Sequence, residues 1–221
     1  MTEWIGALPA GAAALLVLFG PGALIAWALA VRGFALLAAA PVLTVGTGAL
    51  LAIGYGALGI GWTPVAALAG FAGVALALWA LRRVLRLGTL RTDATGPRWV
   101  LILGLAAGGA ILAIRLAAYV GVPDAISQTN DAVFHLNAVR YAVDTGDASS
   151  LLINRVQGSR GFYPAAWHAV VALVAQLGVD LTVATNVVAL ALSFAVWPLG
   201  VAWLVLATLR SRVTAGLAAL A

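Results

Sequence analysis

The sequence predicts an all-α integral membrane protein: a polytopic helical bundle with an external loop that carries a membrane-surface helix. Three observations carry this prediction. Of 221 residues, 64% are hydrophobic and only 9% charged, with a mean hydropathy of +1.09. A soluble domain has about 45–50% apolar and about 25% charged residues, so this chain has too little polar surface to coat a globule in water. Five stretches reach the roughly 20 apolar residues that cross about 30 Å of hydrocarbon. The arginines, finally, cluster between those stretches as orientation signals do. An ordinary soluble enzyme, a disordered chain and a nucleic-acid binder are excluded.

In chain order the spans are Leu8–Val31, Phe34–Leu58, Thr63–Leu81, Trp99–Val120 and Leu181–Leu209. Pro21, Pro41 and Pro198 fall inside them, which membrane helices tolerate when neighbours satisfy the freed backbone groups. Gly104-x-x-x-Gly108 predicts close helix packing. The N-terminus, Met-Thr-Glu-Trp, has no basic n-region, so the first span reads as a retained anchor. The sequence stops at Val213–Ala221, inside what reads as the start of a further apolar helix, which predicts a truncated chain.

All 12 basic residues are arginine, against seven acids. Arg32 follows the first span, and Arg82, Arg83, Arg86, Arg91 and Arg98 stand against Asp93 alone in the 82–98 segment. Both regions belong in the cytoplasm by the positive-inside rule. The N-terminus with Glu3 and the uncharged Gly59–Thr63 connection are then outside, as is the long polar segment Gly121–Tyr163 with Asp124, Asp131, Asp144 and Asp147. Residues 1–98 thus form three N-terminal spans with a basic cytoplasmic loop, and 99–221 a second part. The apolar piece Pro164–Leu177 has a length better suited to a re-entrant or interfacial helix than to a full crossing, which would leave Arg210 and Arg212 outside. It carries Trp167, His168 and Gln176. A helix dipping in from outside and returning leaves Arg210 and Arg212 on the cytoplasmic side. Arginine without lysine, in an alanine- and glycine-rich chain, points to a high-GC bacterial genome and hence the bacterial plasma membrane. The absence of cysteine removes disulfides and thiol chemistry.

The external segment holds the candidate chemistry. Thr129-Asn130-Asp131 opens a helix running to about Asp144, with Thr145-Gly146 as its stop. Ala132, Leu136, Val139 and Val143 make one apolar stripe, as in a helix lying along the membrane face. Asp131 and His135 stand at i, i+4, so their side chains can meet. Such a pair is an acid–base couple or half of a metal site. It is equally what a helix-dipole aspartate and a half-exposed histidine produce. Phe162-Tyr163-Pro164-x-x-Trp167-His168 begins the short apolar helix and brings the second and last histidine beside the same loop. Arg155 and Arg160 are external arginines suited to a phosphate, or ordinary solvated loop charges. Arg115, near the outer end of its span, suits a head group reached by snorkelling or a plain anchor. Asp124, after Pro123, reads as a turn residue.

The order of an apolar span, Asn130-Asp131-Ala132-Val133-Phe134-His135, a Thr-Gly turn and Tyr-Pro-x-x-Trp-His resembles the first external loop of GT-C-type polytopic glycosyltransferases, which use polyprenyl-phosphate-linked sugars. Phe19-Gly20-Pro21-Gly22 with Ala39-Ala40-Pro41 also resembles uncharacterised actinobacterial membrane proteins of this type. The useful resemblance covers about residues 99–210. It implies a sugar transferred from a polyprenyl-phosphate donor to a cell-envelope glycan or lipid acceptor, at a site facing outside. Asp131 would be the general base, with His135 beside it. Tyr163, Trp167, His168, Arg155, Arg160 and Arg115 would bind substrate. Some members hold a divalent metal, for which Asp131, His135 and His168 are the candidates. Three spans before the loop depart from the family pattern. A polymerase or ligase for lipid-linked glycans, a non-catalytic membrane subunit, and a transporter or flippase are the alternatives.

Overall fold

The computed structural model describes residues 2–90 and 94–220, and Arg91 and Asp93 of the charge argument lie outside them. Among the described residues every regular element is helical. A short α1 (Thr2–Gly6) leads into α2 (Leu8–Ala28), α3 (Phe34–Leu58), α4 (Pro64–Leu85) and α5 (Arg98–Val120). The polar segment folds as α6 (Ala132–Thr145) and a 3-10 turn (Ile153–Gln157). Then come α7 (Ala166–Gln176), α8 (Leu181–Ala191), a π-helical turn (Leu192–Val196), α9 (Trp197–Leu209) and α10 (Arg212–Ala218). Helices α2, α3, α4, α5 and the continuous Leu181–Leu209 rod are the five long and apolar enough to cross a membrane. The protein is a multi-pass membrane protein.

Two ends of the bundle are defined by hydrogen bonds. At one, the Trp4 indole donates to the Gly121 carbonyl, Asn186 donates to the Pro123 and Ala125 carbonyls, and the Trp62 N–H donates to Gly146. This is the loop end. At the other, Arg32 N–H donates to Leu90 and Leu90 N–H to Ala30, while Thr95 exchanges backbone bonds with Arg210 and Arg212. The arginines that follow the spans therefore gather at a single end.

Proline shapes two of the rods. Behind Pro21 the Gly22 N–H donates to the Thr44 hydroxyl of α3 at 2.8 Å, a buried bond that satisfies a backbone group away from its own helix. The approach requires glycine, because a Cβ on Gly22 would collide with the Ala40 carbonyl. Pro198 has no N–H for the Phe194 carbonyl, and the helix widens into the π turn just before it. Gly104 and Gly108 of α5 lie against the backbone of Gly216 of α10 and of Ala219 just beyond it, the close packing that their spacing predicts.

The short apolar helix α7 starts and finishes at the loop end. Its His168 lies beside α6, and Gln176 near its end donates to the Trp62 carbonyl. The Trp62 indole, 1% exposed, donates to Ala169 at 3.0 Å. Seven consecutive residues, His168–Val174, are buried, so α7 is enclosed by protein on all sides. It is a core helix held among α2, α3, α6 and α8. It begins two residues after Pro164, so the proline precedes the helix instead of occupying its first turn.

Candidate functional site

Helix α6 buries Ala132, Ala138, Val139 and Ala142, a face rotated slightly from the sequence stripe, with Leu136 and Val143 at its margins. That face is covered by α7. On the exposed side Arg140 and Asp144 pair at 2.9 Å across one turn.

The α6–α7 contact gathers the only two histidines of the chain. His135 Nδ1 lies 3.0 Å from His168 Nε2, and the two rings meet end to end, 5.2 Å between centroids with their planes 28° apart. Phe134 meets Tyr163 edge-on at 4.6 Å, and Trp167 stands edge-on to both histidines at 5.8 and 5.1 Å. Four candidates from the sequence, His135, Tyr163, Trp167 and His168, thus form one cluster. His168 is 2% exposed and its Nδ1 has no hydrogen-bond partner. Burial, helped by the neighbouring His135, lowers its pKa from 6.5 to about 4. It is a neutral imidazole at physiological pH.

His135 is half-buried and, with Trp167, lines a cavity of about 220 Å³. The other polar walls are Ser127, Thr129, Thr182, Thr185 and Asn186, and no charged side chain lines it. A second cavity of about 400 Å³ lies across the 125–129 strand of chain, bounded by Tyr119 and Val120 of α5 and again by Asn186. Below it, between α2, α5 and α8, runs an apolar groove of about 420 Å³ lined by residues such as Ala113, Ala117, Val187 and Leu190. Asn186 and Val187 adjoin on α8, and Ala117 and Val120 are one turn apart on α5. Cavity and groove are therefore stacked along the same two helices.

The remaining candidates are placed differently. Asp131 is the residue before α6, exposed, with a side chain that makes no capping bond. Its neighbours Thr129 and Ala132 line the smaller cavity, and Asp131 itself does not. The i, i+4 spacing does not produce an Asp131–His135 hydrogen bond; His135 Nδ1 instead meets His168. Nor do Asp131, His135 and His168 form a metal centre: among the described residues no three histidines or carboxylates gather to hold an ion. This donor set does not fit a divalent metal. Arg155 lies in the 3-10 turn and Arg160 beyond it, both exposed, and neither lines these cavities. Arg115 is exposed on α5, one turn below Tyr119 of the larger cavity. Asp124 is exposed in the turn after α5.

Sequence reasoning missed Trp62, Thr182, Thr185 and Asn186. The signal for the last three is a polar cluster, Thr182-x-x-Thr185-Asn186, opening an otherwise apolar span, where polar groups face a cavity or a protein neighbour. For Trp62 it is a lone tryptophan in a five-residue uncharged connection between spans.

The match to a family of unknown function, DUF6541, runs over residues 15–221. The chain belongs to the DUF6541 family. No curated protein and no solved structure matches it.

Proposed function

We propose that this DUF6541 protein is a membrane glycosyltransferase that takes a sugar from a polyprenyl-phosphate donor and transfers it to a cell-envelope glycan or lipid on the outer face of the bacterial plasma membrane. The observation that carries the reading is that a cavity walled by Ser127, Gln128, Thr129 and Asn186 sits on an apolar groove along the same two helices, α5 and α8. A lipid-linked sugar has the same division: an isoprenoid tail that needs an apolar groove, and a phosphate and sugar that need polar walls at its mouth.

In this reading the tail lies along α2, α5 and α8. Arg115, at the level where groove meets cavity, reaches the phosphate by snorkelling and stabilises the charge left on it. The uncharged cavity beside His135 and Trp167 takes the sugar, an aromatic wall facing hydroxyl and amide groups. Asp131, exposed at the mouth beside Thr129, accepts the proton of the acceptor hydroxyl as that oxygen attacks the anomeric carbon and the phosphate leaves. Arg155 and Arg160 stand farther along the loop and are less suited to the donor phosphate than Arg115.

The test is a glycosyl-transfer assay on reconstituted protein with a radiolabelled polyprenyl-phosphate sugar and a membrane-extracted acceptor. Asp131→Asn retains shape and removes the base, so transfer falls by roughly 10²–10⁴-fold with donor binding retained. Arg115→Gln weakens donor binding as well. Near-normal turnover of Asp131→Asn removes that residue as the base. Donor binding by wild type without transfer in any acceptor extract assigns the chain instead as a non-catalytic, lipid-binding subunit.

A further inference from the structure

The only nitrogen contact between the two histidines is Nδ1 of His135 with Nε2 of His168, at 3.0 Å. One ring must donate and the other accept. If His135 donates, His168 accepts at Nε2 and carries its proton on Nδ1. That atom is buried without a partner, and an orphaned buried N–H is among the rarest features of folded proteins. If His168 donates from Nε2, its Nδ1 carries only a lone pair, and the ring is in the tautomer that neutral histidine side chains intrinsically prefer. Both considerations select the second arrangement. His135 then accepts at Nδ1 and holds its own proton on Nε2, the nitrogen left for the cavity that His135 lines.

We propose that His168 is a positioning residue that locks His135 in the Nε2–H tautomer, so that His135 serves as a hydrogen-bond donor to an oxygen atom of whatever occupies the cavity. His135 is then neither a metal ligand nor a general base in the resting protein. The buried position of His168, which keeps it neutral, maintains the lock, and Trp167 packs edge-on against both imidazoles. The identity of the ligand rests on the glycosyltransferase reading, where the acceptor oxygen belongs to the sugar; the tautomer itself does not.

Because the chain holds only two histidines, ¹⁵N-histidine labelling of the full chain in lipid nanodiscs gives a spectrum with two imidazoles and needs no ligand or turnover. The expected result at pH 7.5 is a single neutral Nε2–H form for both rings, each Nδ1 resonating as an unprotonated nitrogen. His168→Gln, whose amide can still donate to His135 Nδ1, keeps His135 in that form. His168→Phe releases it into a tautomer mixture, with helix content by circular dichroism unchanged. A protonated Nδ1 on His135 in the wild type overturns the proposal, as does a His135 spectrum unaffected by His168→Phe. Should His168→Phe fail to fold, the wild-type spectrum decides alone. Failure of the transfer assay with the expected tautomer present overturns only the glycosyltransferase reading.

Discussion

Acidification from pH 7.5 to pH 5 destabilises the folded chain through His168, and the size of the effect follows from its burial. The imidazole is 2% exposed, and its pKa lies at about 4 in the fold against 6.5 when free. Lowered in the folded state, the pKa means that the unfolded chain binds the proton first. The stability contribution is complete above pH 6.5, is lost as pH falls below that value, and levels off below about pH 4. Linkage gives a loss of about 2 kcal/mol at pH 5 and about 3 kcal/mol at the plateau. The assay is thermal unfolding in detergent of wild type and His168→Gln across pH 4–8, read as the difference between their midpoints. The variant starts less stable at pH 7.5 and the gap closes by about 2 kcal/mol at pH 5. If both midpoints fall in parallel, His168 is not a buried neutral imidazole, and the α6–α7 packing described above is wrong.

Gly108→Leu separates α5 from α10, because any Cβ there meets the Ala219 carbonyl, whereas Gly46→Leu projects into open space and serves as the control. The first lowers the unfolding midpoint by several degrees and the second leaves it in place, both read by detergent-phase calorimetry. Thr44→Val keeps the shape of α3 and strands the buried Gly22 N–H. A loss of about 1 kcal/mol is expected in chemical unfolding. Trp62→Phe removes the buried indole bond to Ala169 and costs about 1–3 kcal/mol. Hydrogen exchange in the α7 amides accelerates, and α5 is unaffected.

The spans were readable in the sequence because they answer to a local requirement. A helix in hydrocarbon must satisfy its own backbone and present apolar side chains over its whole length, so Phe34–Leu58 emerges from composition alone and ends where the structure ends it. The stop of α6 at Thr145-Gly146 was equally readable, whereas Asp131 makes no capping bond and the buried face, rotated from the sequence stripe, packs on α7. Gly104 and Gly108 announced close packing, though not that Gly216 and Ala219 receive them.

What the chain alone did not determine concerns pairs far apart in sequence. Asp131 and His135 are neighbours on one helix, and local spacing couples them. The fold instead brings up His168, 33 residues away, and sets it against His135 Nδ1. Helix α7 has interfacial composition and a length short for a full crossing. Only its contacts with α2, α3, α6 and α8 make it a buried core helix that returns to the end where it began. Asn186 belongs to a short polar cluster in a span, and only the fold brings the Pro123 and Ala125 carbonyls onto its amide. The physical reason is common to all three. Hydropathy and periodicity report which environment a residue requires, whereas the partner that supplies it is set by how the whole bundle closes.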